Sequence, residues 1–460
     1  MFRKVFVANR GAVAARVIRA LREMDIRSAL GYSEADAQLP YVAQADEAVL
    51  LGPASPAESY LHIERLIAAA LSVQADAIHP GYGFLSENAE FARKVREAGM
   101  VFIGPSPQWL QAMGHKTRAR ETMAQHGMPM CPSSGLLTGS LAEQIEAAQA
   151  AGFPMLIKPA AGGGGIGMIP VDNAAALPEA LAKARGLAER SFANGELYTE
   201  RLFMRPRHIE FQIMADNFGA VQHLFERDCS LQRRHQKVIE EAGAPRVARA
   251  TLDDMAGQAT DILRTIGYDN IGTIETLYDP QAGFSFLEMN TRLQVEHGVT
   301  EEVTGVDIVK SQIRLAAGAR LADVLSARPT EPQGHAIQAR IYAEDPWRFL
   351  PSPGVLKSFN LPSSPGIRIE TGFGEGNRVS SNYDPMIAKV IAHASDRTGA
   401  IGLLKDALSA CNIEGVKTNI PFLIAALSDD EFRSGEVHTH LAADIVKRHA
   451  PVKPSAPLAA

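Results

Sequence analysis

The chain has 460 residues, of which 46% are hydrophobic and 21% are charged. This composition indicates a globular protein of two to four domains and excludes disorder as the main state. The 46 basic and 52 acidic residues leave a formal net charge of −6, and no long block of one sign is present, so we expect no nucleic-acid partner. No apolar run reaches the ~18 residues of a membrane span. We also see no signal-peptide core and therefore expect a cytoplasmic protein with no membrane partner.

The first third of the chain alternates short apolar runs with helical patterns. Residues 5–8 (VFVA) are typical of a buried strand, and residues 12–24 carry apolar side chains at helical spacing. Further strands are predicted at 28–32, 77–79 and 101–104, and a further helix at 91–98. This order predicts βαβ units and hence a mostly parallel, Rossmann-like sheet covered by helices.

From about residue 129 the pattern changes to extended segments. Strands are predicted at 152–159, 168–171, 208–215, 219–226, 273–277 and 284–290. A third region begins near residue 334, with a strand at 335–343 and a strand and helix within 384–412. We expect a region of mixed helices and strands after the parallel sheet, and a disordered, proline-rich tail after it.

A glycine run at 162–167 separates the first two of these strands. It satisfies G-x-G-x-x-G, but Pro170 and β-compatible residues follow where a dinucleotide site needs a helix. A hairpin tip of glycines can lay backbone N–H groups over a polyphosphate, and Lys158 in the preceding strand adds a positive charge. The alternative is a plain linker.

Three oxygen-bearing side chains are predicted on adjacent strands. Glu288 and Asn290 are two residues apart and therefore point to the same face, and Glu275 lies in the strand-like segment 273–277. Such a set is typical of a Mg²⁺ site bridged to nucleotide phosphates. The alternative is an exposed polar strand face.

The segment that follows carries a guanidinium, an amide and a carboxylate. In an extended chain Arg292, Gln294 and Glu296 share one side. Arg292 can hold a planar oxyanion, and Glu296, close to that cation, can stay ionised and act as a base. A surface ladder of salt bridges is the alternative.

Two further segments carry candidate ligand contacts. The charged segment 226–237 is either a solvated loop or a basic wall that faces anionic ligands. Tyr82 follows the strand at 77–79, and ligands of parallel sheets bind beyond the carboxyl ends of strands. Ordinary loop packing is the alternative for Tyr82.

Taken together, these segments resemble the biotin carboxylases, ATP-grasp enzymes that serve as subunits or domains of acetyl-CoA and related carboxylases. The resemblance extends from about residue 6 to residue 419. It is carried by specific motifs: VANRG (7–11), HPGYGFLSEN (79–88), MGHK (113–116), the lysine and glycine loop, ERDCSLQRRHQKVIEEAGAP (226–245), FLEMNTRLQVEH (286–297), AEDP (343–346) and FLPSPG (349–354).

The resemblance implies a multidomain α/β and α+β fold. An N-terminal parallel-sheet domain would span residues 1–114, and an ATP-grasp domain residues 115–330 with a mobile lid at about 130–203. A C-terminal α+β domain would span residues 331–446, with a disordered tail at 447–460.

The resemblance also implies a role for each site residue. Residues for ATP would be Lys116 and Lys158 at the phosphates, Gly163, Gly164, Gly165 and Gly167 in the lid, Glu200, Arg201, Leu202 and Phe203 at adenine, and His208, Gln232 and His235 nearby. Glu275, Glu288 and Asn290 would bind Mg²⁺ or Mn²⁺ at the nucleotide. Bicarbonate would be held by Lys237, Arg292, Gln294 and the Val295 backbone, and biotin by Tyr82 and Arg340. The catalytic residues would be Lys237, Arg292, Glu296 as the base, and Arg340.

The implied reaction is the carboxylation of biotin through carboxyphosphate made from ATP and bicarbonate. Because no biotinyl domain follows, a separate biotin carboxyl carrier protein and carboxyltransferase subunits are expected as partners. Arg19, Glu23 and Arg368 match positions of the family's homodimer interface.

Two departures from the family pattern keep alternatives open. Ile166 stands where the family has Arg or Lys, and Gly298 replaces the proline after Glu-His. A carboxylase for a urea- or guanidine-like acceptor, or a nucleotide-binding paralogue without turnover, are the alternatives.

Overall fold

The structure is a computed structural model that describes residues 1–160, 167–192, 194–326 and 329–451, apart from the side chains of Lys116 and Thr117. The expectations for Gly163, Gly164, Gly165, Ile166 and the Lys116 side chain therefore lie outside the described residues. Of the tail expected at 447–460, residues 452–460 also lie outside them, whereas residues 447–449 are the end of a helix, so the expected start of the tail was wrong there.

The amino-terminal region is a parallel sheet whose strands, in spatial order, are β3, β2, β1, β4 and β5. The strands are β1 (Lys4–Val7), β2 (Arg27–Ser33), β3 (Glu47–Gly52), β4 (Ala77–His79) and β5 (Val101–Phe102). The helices are α1 (Gly11–Glu23), α2 (Pro40–Gln44), α3 (Ile63–Ser72), α4 (Ala89–Glu97) and α5 (Pro107–Gly114).

Helices cover both faces of this sheet. Val5 and Val7 pack into the cluster that contains helix α1, whereas Phe6 packs with residues of α3 and α4. Alternation along a strand sends neighbouring side chains to opposite faces, so the predicted Rossmann-like arrangement is confirmed. Strand β3 was not predicted, because its alternating exposed residues include Leu50, which is half exposed.

A small antiparallel sheet follows, in the order β6, β9, β7, β8. Its region contains α6 (Lys116–Gln125), β6 (Ser133–Leu136), α7 (Leu141–Ala148), β7 (Met155–Pro159), β8 (Ile169–Val171), α8 (Leu177–Phe192) and β9 (Leu197–Arg201). Strands β7 and β8 pair directly, so the chain turns back on itself between them, as the sequence predicts.

The largest sheet has eight antiparallel strands in the order β14, β13, β10, β11, β12, β15, β20, β18. Its first part comprises β10 (Arg207–Ala215), β11 (Val221–Arg233), β12 (Gln236–Ala242), α9 (Arg249–Ile266), β13 (Asn270–Asp279) and β14 (Gly283–Asn290). Helices α10 (His297–Thr304), α11 (Ile308–Ala316) and α12 (Leu321–Val324) follow.

The last part of the chain adds strands to the same sheet. It comprises β15 (His335–Tyr342), β16 (Gly354–Val355), β17 (Ser358–Asn360), β18 (Ile367–Thr371), β19 (Arg378–Val379), β20 (Met386–Ala394), α13 (Arg397–Ser409), β21 (Asn412–Glu414), α14 (Ile420–Ser428), α15 (Asp430–Ser434) and α16 (Leu441–His449). Because β15 pairs with β12, one sheet extends across residue 330. The domain division at residues 114, 330 and 446 stays a prediction.

One of the two alternatives for the segment 226–237 and the extended conformation considered for residues 291–296 do not hold in the structure. The segment 226–237 is no solvated loop, because it forms most of β11 and the start of β12 and is buried except around Arg234, His235 and Gln236. Residues 291–296 are not an extended strand but a loop with turns, and Glu296 precedes α10 with φ −87° and ψ 11°. In both places contacts between distant elements outweigh the local polarity pattern.

Among the described residues, no helix combines the length and apolar character that crossing a membrane requires.

Candidate active site

Lys237 lies at the centre of a buried group of carboxylates on one face of the large sheet. Its Nζ is 2.5 Å from Glu210 Oε2, 2.8 Å from Glu275 Oε1 and 2.7 Å from Glu296 Oε1. Burial alone would lower the pKa of Lys237, but these three carboxylates raise it well above its usual value. The side chain is therefore a permanent cation.

Glu296 is completely buried between two cations. Besides Lys237, it accepts a hydrogen bond from Arg340 Nη2 at 3.0 Å. Burial would raise the pKa of Glu296, yet Lys237, Arg340 and Arg227 together lower it far below its usual value. The sequence predicts an ionised Glu296 beside Arg292, but the cations in direct contact with it are Lys237 and Arg340, since the loop is not extended.

Arg340 is held by a second carboxylate that the sequence did not single out. Its Nε donates to Glu240 Oε1 at 2.5 Å, and Gln338 donates to the other oxygen of Glu240 at 3.0 Å. Strand β15 places Gln338 and Arg340 on one face, opposite β12. This arrangement fixes the guanidinium beside Glu296.

Arg292 is held in place by Glu87, which follows Tyr82 in the loop after β4. Glu87 accepts from Arg292 Nε at 2.8 Å and from the backbone N–H of Thr291 at 3.0 Å. The other end of the guanidinium donates to Gln294 at 3.1 Å and to Asn290 at 2.8 Å. Glu87 lies within a motif of the sequence, but its contact is with a residue 205 positions away, which no local pattern reveals.

Gln294 joins the two predicted constellations. Its amide oxygen accepts from Arg292, and its Nε2 donates to Glu275 at 3.3 Å. The structure thus brings the predicted metal and oxyanion residues into one site.

A buried arginine supports this site from behind. Arg227 is fully buried and donates to Glu210 at 2.6 Å, to Gln212 at 2.8 Å and to Thr300 at 2.9 Å. A buried charge costs several kcal/mol unless it is paired and hydrogen-bonded. Arg227 was missed as a member of the site because the charged segment 226–237 was compatible with a solvated loop. Glu210 was missed because it lies in the predicted strand 208–215, where the alternating pattern does not show that the polar face is buried.

The predicted nucleotide residues form two contact groups. In one, Gln232 Nε2 lies 2.7 Å from His208 Nδ1, and His208 Nε2 lies 3.1 Å from Glu275. In the other, Glu200 is paired with Lys158 at 2.6 Å and with Arg120 at 3.0 Å. Lys158 and Glu200 are on the adjacent strands β7 and β9.

The remaining predicted residues lie around these groups. Arg201, Leu202 and Phe203 continue from β9, and the Leu202 N–H donates to Pro154 O at 2.8 Å. Gly167 lies in a turn two residues before β8 and has φ +78°. His235 occupies the exposed turn between β11 and β12.

The residues expected to bind a divalent cation fit that role. Glu275 and Glu288 are directly opposed in the β13–β14 register, and Asn290 is two residues beyond Glu288. Opposed residues lie about 5 Å apart at Cβ, so the three side chains share one face of the strand pair, and their carboxylate and amide oxygens are the ligands that a hard cation prefers. Burial would raise the pKa of Glu275, but Lys237 and His208 hold it well below its usual value, so this carboxylate is ionised.

Tyr82 lies beyond the carboxyl end of β4, partly buried against the large core. Its backbone carbonyl accepts from Asn9 at 2.8 Å. Burial raises the pKa of its hydroxyl, which keeps the ring neutral. The roles of the predicted site residues stay predictions, while the contacts that join them are observed.

Three family models match the chain in succession. They are described as "Biotin carboxylase, N-terminal domain" (residues 1–110), "Carbamoyl-phosphate synthase L chain, ATP binding domain" (residues 115–324) and "Biotin carboxylase C-terminal domain" (residues 338–444). The fold and the site thus define an ATP-binding protein of the carboxylase class.

Relatives cover nearly the whole chain. Biotin carboxylase 2 of Bacillus subtilis is 46% identical over 98% of this chain and 100% of its own length. The biotin carboxylase of Halalkalibacterium halodurans is 48% identical over 95% of this chain and 97% of its own.

Solved structures of biotin carboxylases are also similar to this chain. The biotin carboxylase domain dimer of Hydrogenobacter thermophilus 2-oxoglutarate carboxylase, in complex with MgADP, ADP and bicarbonate, has a TM-score of 0.90 at 41% identity, with 97% of this chain and 99% of that chain covered. A biotin carboxylase complex with β,γ-ATP from Campylobacter jejuni has a TM-score of 0.91 at 40% identity, with 98% and 99% covered. The chain belongs to the biotin carboxylase family, which confirms the resemblance.

Proposed function

We propose that this protein catalyses the ATP- and bicarbonate-dependent carboxylation of biotin carried on a separate protein, the first half-reaction of a biotin-dependent carboxylase. The observation that carries the proposal is the buried Glu296, ionised between Lys237 and Arg340. A carboxylate with two cations and the Arg292–Gln294 pair nearby suits a small oxyanion that must also lose a proton.

Glu296 acts as the base on bicarbonate. Its low pKa keeps it deprotonated. Bicarbonate bound to Lys237 and Arg292 would share Lys237 with Glu296, and this would raise the proton affinity of the carboxylate when the substrate is present. The deprotonated bicarbonate then attacks the γ-phosphorus of ATP, and ADP leaves as carboxyphosphate forms.

Lys158 and Lys116 contact the phosphates of ATP, and residues 200–203 line the adenine pocket. Lys158 is now neutralised by Glu200, so a polyphosphate would compete for its charge. Glu275, Glu288 and Asn290 would hold Mg²⁺ or Mn²⁺, which when bound neutralises charge on the transferring phosphoryl group.

Arg340 and Tyr82 receive biotin. Carboxyphosphate releases CO₂ and phosphate, the phosphate removes the N1′ proton of biotin, and Arg340 stabilises the oxygen of the resulting anion. Carboxybiotin forms when N1′ attacks CO₂.

The proposed partners are a biotin carboxyl carrier protein, carboxyltransferase subunits and a second copy of this chain. Relatives include subunits of a pyruvate carboxylase and of a methylcrotonoyl-CoA carboxylase, and the Hydrogenobacter structure is a dimer. Arg19, Glu23 and Arg368 are the proposed dimer contacts. Since the reaction consumes ATP, we expect a cytoplasmic location.

The test is ADP release measured with and without bicarbonate and free biotin, together with detection of carboxybiotin. We expect ADP release to require bicarbonate and to rise with biotin. Glu296→Gln should lower carboxylation by roughly 10² to 10⁴-fold and leave nucleotide binding intact. Glu226→Gln, which removes another fully buried carboxylate paired with Arg249, is the matched control.

If ADP release is stimulated only by another nitrogen acceptor, biotin is not the carboxyl acceptor. No bicarbonate-dependent release under any condition would refute the enzyme assignment. Full activity in Glu296→Gln would refute the role of the base.

A further inference from the structure

The backbone around Val295 is held by two side chains that the proposed mechanism does not use. Lys389 Nζ donates to the Val295 carbonyl oxygen at 2.7 Å. His297 Nδ1 lies 2.7 Å from the Gln294 carbonyl oxygen. These oxygens belong to successive peptide units, one joining Gln294 to Val295 and the other joining Val295 to Glu296.

His297 acts on the peptide unit that bears the Val295 N–H. A carbonyl oxygen can only accept, so the Nδ1 atom of His297 carries the proton. Burial and the positive charge of Lys389 lower the pKa of His297 well below its usual value, so the ring is neutral. A hydrogen bond accepted at C=O polarises the same peptide and makes its N–H a stronger donor.

Lys389 fixes the following peptide unit from a distant strand. It is fully buried in β20, and its Nζ is 2.6 Å from Glu370 Oε2. The other oxygen of Glu370 is held by Arg368 and Arg19, so the carboxylate that orients Lys389 is itself fixed. Burying a lysine costs free energy that a structural apolar residue would avoid.

The loop needs such restraint. Residues 291–296 belong to no strand, and the other backbone bonds at its end are long, at 3.3 Å from the N–H groups of His297 and Val299. Without the His297 side chain, the Gln294 carbonyl would keep only the long bond from the His297 N–H among the bonds described.

We propose that Lys389 and His297 are positioning residues that clamp the two peptide units around Val295, so that its N–H is aimed at bicarbonate and Glu296 follows at a fixed place. This inference rests on the proposed function. It means that Lys389 on β20 and His297, the first residue of α10, fix the geometry of the bicarbonate site.

The test compares the bicarbonate KM with the nucleotide Kd in Lys389→Met and Lys389→Arg. We expect Lys389→Met to raise the bicarbonate KM by roughly 10- to 100-fold, because a misplacement of about 1 Å has an effect of this order. The Kd for MgADP should change less than about twofold, and Lys389→Arg should recover part of the loss. Arg397→Met, which removes a partly buried cation paired with the buried Glu241, is the control for lost stability and should leave the bicarbonate KM unchanged.

A second pair of variants keeps the test decisive if Lys389→Met does not fold. His297→Leu removes the donor to Gln294 and should raise the bicarbonate KM, whereas His297→Asn can place an N–H near the Nδ1 position and should restore it. If folded Lys389→Met or folded His297→Leu has an unchanged bicarbonate KM, the positioning role is overturned, whereas the proposed function is not affected. A parallel rise in the MgADP Kd would also overturn the positioning role. A wild-type protein without bicarbonate-dependent ADP release would overturn the proposed function and this inference together.

Discussion

Gly298 shows how packing explains a departure from the family pattern at a single residue. It is buried in α10, and a Cβ atom at this position would lie 2.4 Å from Ile391 Cδ1. Real carbon atoms do not approach so closely. Ile391, which is fully buried in β20, occupies the space that a side chain at 298 would need.

We therefore predict that Gly298→Ala destabilises the protein, although alanine is the better helix former. Overpacking costs about 1 to 3 kcal/mol, against a gain in helix propensity of at most about 1 kcal/mol. Ile391→Val removes the clashing Cδ1, so the double variant should lose less stability than the two single changes predict together. Denaturant unfolding of the four proteins measures this coupling.

The control is Ile387→Val, a buried isoleucine on the same strand. Combined with Gly298→Ala, its effect should be additive. If the effects of Gly298→Ala and Ile391→Val on stability are also additive, the close approach between positions 298 and 391 has no energetic consequence.

Among the helices and strands, Glu241 joins two strands and a helix. From β12 it accepts from His335 of β15 at 2.7 Å and from Arg397 of α13 at 2.7 and 3.1 Å. Burial would raise the pKa of Glu241, but Arg397 and His335 lower it to about 2 from its usual 4.5. Because the folded pKa is the lower one, the stabilisation is complete above pH 4.5 and is lost as the pH falls towards 2.

We predict that Glu241→Gln lowers the free energy of unfolding at pH 7 by up to about 3 kcal/mol. The difference in unfolding free energy between wild type and Glu241→Gln should stay constant down to about pH 5. One pH unit below the usual pKa of Glu241, this difference should be smaller by about 1.4 kcal/mol. Urea unfolding at several pH values measures it, with the exposed Glu97→Gln as control. A difference that is equal at pH 7 and pH 3.5 would contradict the assigned ion pairs.

Across the whole molecule, side-chain contacts join parts of the chain that lie far apart in the sequence. Tyr383 ties the last region to the first, because its hydroxyl donates to Ala54 O at 2.6 Å and lies 2.7 Å from Ser33 Oγ. Arg16 of α1 reaches Glu301 of α10 at 3.0 Å. Ligand binding to the nucleotide and bicarbonate site should therefore stabilise the folded molecule as a unit.

We predict that ATP with Mg²⁺ raises the unfolding temperature more than ATP with EDTA. A ligand at 100 times its Kd contributes about 2.7 kcal/mol, which corresponds to a few degrees in a protein of this size. In Glu288→Gln, Mg²⁺ should add less to the unfolding temperature than it does in wild type, whereas ATP with EDTA should stabilise both proteins equally. Thermal unfolding by calorimetry measures both.

Asp254→Asn, an exposed change on α9, is the control and should behave as wild type. If Mg²⁺ raises the unfolding temperature of Glu288→Gln as much as that of wild type, Glu288 is not one of the metal ligands.

The parallel sheet except for β3, the hairpin of β7 and β8 and the strands that carry Glu275, Glu288 and Asn290 could all be predicted from the amino-acid sequence. These features depend on periodicity and turn chemistry over a few residues, which the order of amino acids states directly. The family resemblance also rested on contiguous motifs.

Which charges meet could be learned only from the folded chain. The pairing of Lys237 with Glu210, the anchoring of Arg292 by Glu87 and the contact of Lys389 with Val295 join residues 27, 205 and 94 positions apart. A local pattern cannot distinguish a buried ion pair from a solvated charge, because only the packing of distant strands sets the cost of burial and supplies the partner that offsets it.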